Sequence, residues 1–70
     1  MTRDEWIAEF ASKIGESPTS AEEVKAILDL AAVAAHASER TAAPVACWMA
    51  GKTGRSLSDL VDVGNEIEAP

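Results

Sequence analysis

Tyrosine is absent from the 70-residue chain, and the aromatic residues come down to Trp6, Phe10 and Trp48. One cysteine, Cys47, excludes an intramolecular disulfide. With only His36 beside it, a cysteine-based zinc site is excluded as well. Basic residues number six against twelve acids, a net charge of −6. That deficit argues against nucleic-acid binding, because neutralising phosphates needs a basic footprint. No long apolar run is present. The run Leu30 to Ala35, which no other exceeds, is far short of a membrane span. Residues Met1 to Glu5 run straight into acids without the apolar core of a signal peptide, so no membrane association and a cytoplasmic location are expected. No cofactor motif is expected either.

What the chain does have is alanine, at 14 positions. Alanine forms helix better than any other residue and fills a core poorly. A chain this short makes one domain, residues 1–70, and a single small core seldom supplies more than about 3–5 kcal/mol. Thr2-Arg3-Asp4-Glu5 has the form of a capping box, with Trp6, Ile7, Phe10, Ala11 and Ile14 as an apolar stripe and Gly15 as the stop. Ser20-Ala21-Glu22-Glu23 repeats that start signal before Val24, Ile27, Leu28, Ala31, Ala34 and Ala35. Leu30, Val33 and Ala37 add a second apolar side, which predicts a central helix packed on both flanks. Thr41 is the expected cap of a third helix with Pro44 in its first turn, ended by the Gly51–Gly54 cluster. Ser56 precedes a fourth segment carrying Leu57, Leu60, Val61, Gly64 and Ile67 on one face. No stretch alternates with period two. The expected fold is all-α, a small bundle of three to four helices over about 3–14, 21–39, 42–52 and 57–67.

Four features bear on chemistry. Ala46 to Thr53 satisfies a loosened phosphate-loop pattern, but it sits inside a predicted helix and lacks the glycine-rich turn that aims backbone N–H groups at phosphates. A helix end with a solvated Lys52 is the better reading. Residues 40–55 hold Arg40, Lys52 and Arg55 and no acid. Free amides at the start of the third helix, together with His36, Arg40 and Thr41, are therefore a candidate site for a small anionic ligand. The alternative is that Arg40 caps the C-terminal carbonyls of the second helix. Cys47 is either a packed structural thiol or one with a pKa lowered by the nearby bases. Trp6 and Trp48 are most simply core residues, or else partner anchors alongside Met49, Lys52 and Arg55. Nothing in the pattern supplies a nucleophile with a shielded pocket, so catalytic residues are not expected.

Ile27-Leu28-Asp29-Leu30-Ala31, Ala34-Ala35-His36, Arg40-Thr41-Ala42-Ala43-Pro44 and Gly51 resemble a small helical domain family of high-GC bacteria that has no assigned activity. Asp4-Glu5-Trp6 is similar to that family's aspartate–tryptophan pair with one residue inserted, and Thr41 stands where the family usually has proline. Such domains occur alone or fused to nucleotidyltransferases resembling molybdenum cofactor guanylyltransferase. The resemblance implies a non-catalytic accessory module near molybdenum-cofactor maturation or molybdoenzyme assembly, with Trp6, Asp29, His36, Arg40, Pro44 and Gly51 as marked positions. A protein partner or a homo-oligomer is expected. Self-association is the reading that needs no second protein, since a thin core can be completed by dimerising.

Overall fold

A computed structural model describes residues 1–67. Four helices follow one another: α1 (Arg3–Ile14), α2 (Ala21–Ala37), α3 (Ala42–Thr53) and α4 (Leu57–Glu66). The fold is all-α, with no strand among the described residues.

The ends of these helices are set by side chains the sequence makes visible. At the start of α1, Oγ1 of Thr2 accepts the Glu5 N–H at 3.1 Å and the Glu5 carboxylate accepts the Thr2 N–H at 2.8 Å. Ser20 and Glu23 make the same reciprocal pair before α2, at 3.1 and 2.8 Å. Each box satisfies two amides that the first helical turn leaves without partners. Gly15 closes α1 at φ 77°, where its N–H donates to Ser12 and that of Glu16 to Ala11. A left-handed residue is required there, and glycine takes it without strain.

Helix α2 ends at Ala37, two residues before the Glu39 expected from the apolar pattern. The cause is Ser38, whose hydroxyl donates to the Ala34 carbonyl at 2.7 Å and whose backbone leaves helical geometry at φ −141°, ψ −98°. A side chain that takes up a terminal carbonyl offers the backbone an alternative to another helical turn. Thr41 also departs from expectation. It lies in αR geometry and its side chain makes no capping bond to α3. A tight turn does that work instead, with Ala42 N–H donating to Glu39 and Ala43 N–H to Arg40 at 3.0 and 3.1 Å. Pro44 follows in the first turn, where its missing N–H costs nothing. Helix α3 then runs one residue further than expected, to Thr53, before Gly54 at φ 72°. Helix α4 stops at Glu66, with Ile67 as its cap.

Helix α2 is central, as its two apolar sides predict, and packs against both α3 and α4. Leu30 and Ala50 are buried at those contacts, and Ala11 is the buried residue of α1. Arg3 and Asp4 border a depression with Thr19, Ala21 and Val24, so α1 sits at the N-terminal end of α2. The molecule is elongated, 39 × 24 × 18 Å. Among the described residues three ion pairs, Arg3–Asp4, Lys25–Asp29 and Arg55–Asp59, lie on the surface within single helices or at their starts. The two i,i+4 pairs are worth about 0.2–0.5 kcal/mol each.

The tryptophans correct the simplest reading of the sequence. Trp6 is 56% and Trp48 66% exposed, so neither is a core residue. Among the described residues only Ala11, Leu30 and Ala50 are buried, because the positions that face neighbouring helices are mostly small.

Candidate functional site

Helices α3 and α4 lean on α2 as two walls on one floor, leaving a groove of about 480 Å³ between them. The floor is Leu30, Val33, Ala34 and Ala37. Ala46, Met49 and Ala50 form one wall, and Leu60, Val63, Gly64 and Ile67 form the other. Ser38 and Thr53 also line the groove, and both hydroxyls already donate to backbone carbonyls, of Ala34 and Ala50. The space exists because alanine stands where a leucine would fill it. No titratable side chain lines the groove, so it offers burial without acid–base chemistry. A small-molecule pocket adds convergent polar groups to its apolar walls. This groove has none to spare.

Gly64 sets how deeply α4 sits. A Cβ at this position would meet Cγ1 of Val33 at 3.2 Å and Cδ1 of Leu30 at 3.6 Å. Across that contact from the groove, His36 lines a shallow depression with Ala32, Asn65 and Ile67.

The residues of the anticipated anion site are not gathered. His36 faces α4, whereas Thr41 borders a separate depression with Ser38, Glu39, Ala42 and Val45. Arg40 lines neither, and makes no side-chain bond to the end of α2, where Ser38 takes the Ala34 carbonyl. The free amides expected at the start of α3 are occupied: Ala42 and Ala43 donate to Glu39 and Arg40, and Pro44 has no N–H. The phosphate-like stretch Ala46–Thr53 is continuous helix, its amides committed along the axis.

Of the anticipated partner-binding residues, Met49 lines the groove and is 58% exposed. Trp48 points outward, with Nζ of Lys52 4.3 Å from its ring centroid. Arg55 is paired with Asp59 at 3.1 Å. Trp6 lies on α1, stacked on Phe10 at 5.1 Å between ring centroids. Cys47 faces α2 with its Sγ 3.8 Å from the Ile27 carbonyl, and burial pushes its thiol pKa up rather than down. It is a packing residue. Of the groove-lining residues, Leu30, Val33, Ala37 and Leu60 were read from the sequence only as packing faces, and Ala46 and Val63 were not assigned to any site. Their signal was the second apolar side of α2 together with alanines on α3.

Among the described residues no helix is long and apolar enough to cross a membrane, and no three metal-ligating side chains converge. A family profile described as "Domain of unknown function (DUF6457)" matches residues 1–66. No curated protein and no solved structure matches the chain.

Proposed function

The chain belongs to the DUF6457 family, and we propose that it serves as a non-catalytic docking module whose α2–α3–α4 groove receives an apolar helical segment of a protein partner. One observation carries this reading: a groove of about 480 Å³ lined almost wholly by carbon, in a protein with only three buried apolar residues among those described. Leaving that surface wet forgoes roughly 25 cal/mol per Å² of burial, which a small core can ill spare. Knobs of leucine or phenylalanine size fit over the alanines of the floor and the α3 wall, as in helix-in-groove recognition.

The resemblance noted from the sequence supports looking for this partner in the cytoplasm, among nucleotidyltransferases of molybdenum-cofactor maturation or subunits of molybdoenzymes. The anion-binding alternative has less behind it, since the amides it needs are already bonded. Docking is tested by titrating the full chain with a synthetic amphipathic helix of leucine, alanine and glutamate while following the methyl resonances of Val33 and Val63. Saturable shifts there, lost in Met49→Glu, are expected. Shifts spread evenly over the surface, or none, contradict docking. The pathway assignment is tested by co-purification of tagged chain from its host. A molybdenum-pathway protein retained by the native chain and lost with Met49→Glu supports the assignment, and retention unaffected by that change refutes it.

A further inference from the structure

We infer that the occupant of the groove is an amphipathic helix of a partner protein, with lysine or arginine along the edge that lies against α4. The inference rests on the docking reading above and names the chemistry of its partner.

The two rims of the groove differ in charge. On α4 the groove wall is Leu60, Val63, Gly64 and Ile67. Asp59, Asp62 and Glu66 are spaced three and four residues apart, so they form one row along that helix. Asp59 stands four residues before Val63 and Glu66 three after it. The row therefore runs on the Val63 side of α4, beside the groove and outside its apolar lining. All three acids are exposed. On α3 the wall is Ala46, Met49 and Ala50, and that helix contains no acid. Its rim carries Lys52, three residues beyond Met49, with Nζ over the Trp48 ring.

Asp62 and Glu66 are placed to the disadvantage of the free chain. Arg55 takes up Asp59 at 3.1 Å, but Asp62 and Glu66 lie outside the three ion pairs of the described residues. They stand at i,i+4, where like charges repel. Glu66 is also the last residue of α4, at the pole of the helix dipole that favours a cation, and the last turn holds no base. No lysine or arginine follows Arg55 in the sequence.

A basic edge on the occupant answers both features of this wall. Its charged heads reach the acid row, while its aliphatic stems cover Val63, which is 36% exposed. An acidic edge would meet like charge along α4, which selects against that class of partner. A second copy of this chain is a poor occupant for the same reason, since its net charge is −6.

The test adds two synthetic helices of one length and pattern, leucine–alanine–lysine and leucine–alanine–glutamate, to the full chain. The methyl resonances of Val33 and Val63 report the groove. The lysine helix is expected to bind at least about tenfold more tightly at low salt, with the difference shrinking as salt screens the rim. The double variant Asp62→Asn, Glu66→Gln is expected to narrow that preference at least about threefold and to raise the urea midpoint of the free chain. The double variant Glu9→Gln, Glu22→Gln removes the same charge away from the groove and is expected to leave the preference nearly unchanged. Equal affinity for the two helices overturns the inference and leaves docking standing. So does a preference that both double variants narrow alike, since net charge then explains it. A lowered midpoint in Asp62→Asn, Glu66→Gln also overturns it, because the acids would then already serve the fold. Groove methyls that shift with protein concentration before any helix is added identify a second copy as the occupant and overturn it too. A groove that binds neither helix overturns both readings.

Discussion

A Cβ placed on Gly64 would lie 3.2 Å from Cγ1 of Val33, so α4 rests on α2 at a point where only a hydrogen atom fits comfortably. Glycine inside a helix costs about 1 kcal/mol relative to alanine. The close approach returns that cost as contact between the two helices and holds the α4 wall of the groove low against its floor. In the native chain, Gly64→Ala is expected to change stability by less than about 1 kcal/mol, because the propensity gained is offset by overpacking against Val33. In a Val33→Ala background the obstruction is gone, and the same change is expected to stabilise by about 1 kcal/mol relative to Val33→Ala alone. Urea denaturation of the four proteins measures the coupling. Equal effects in both backgrounds would show that the two residues do not compete for space.

The capping boxes divide the molecule into a central and a peripheral part. Ser20 caps the helix on which α3 and α4 both pack. Ser20→Ala is expected to lower global stability by about 1 kcal/mol. Thr2→Ala removes an equivalent bond from α1, whose outer face is uncovered. Its effect is expected to appear first as faster amide exchange in the first turn of α1, with a smaller shift of the urea midpoint. Matching midpoint shifts would place α1 in the same cooperative unit as α2.

Start signals were the most legible part of this fold. Thr2–Glu5, Ser20–Glu23 and Ser56 each announce a helix within a residue of where it begins, since a side-chain oxygen three positions ahead of an amide is a local device needing no tertiary context. Stops were less legible. Gly15 and Gly54 end their helices as glycine should, but Ser38 ends α2 through its own hydroxyl, which an apolar pattern cannot register. Thr41 has the residue type of a cap and the backbone of a turn. The groove was invisible for a different reason. Periodicity tells which residues share a face, whereas the space between α3 and α4 depends on how far apart two helices stand on a third. Trp6 and Trp48 were read inward because large apolar residues usually are, and this chain has too little neighbouring surface to cover them.

The Glu5 carboxylate accepts the Thr2 N–H, and this bond first, then the Thr2 hydroxyl beside it, holds its pKa below the ordinary 4.5. A lowered carboxyl pKa contributes stability above the ordinary value and loses it as pH falls through the lowered one. The contribution is small, because the group is solvent-exposed. Acidification is therefore expected to release the Thr2 amide resonance below pH 4.5, in step with the Glu5 side-chain titration. Glu5→Gln should remove that step while keeping the helix, as glutamine also completes the box. A Thr2 amide that titrates unchanged in Glu5→Gln would contradict the assignment.

Cys47 makes the opposite prediction. Burial against α2 raises its thiol pKa, so the folded chain disfavours the thiolate. Its contribution to stability is complete below the ordinary thiol pKa and falls as pH rises from there through the raised value. Iodoacetamide is expected to alkylate Cys47 more slowly in the folded chain than in urea at the same pH. Equal rates would mean that the α2–α3 contact opens freely.

The role of the chain depends on whether the groove over α2 is a surface built to be covered. Methyl spectra of the full chain, recorded from low micromolar to millimolar concentration and then with the leucine–alanine–glutamate helix added, address this most directly. The expected result is saturable shifts on adding the helix, confined to Val33, Met49 and Val63 in the groove. Groove methyls that move neither with concentration nor with the helix would contradict it.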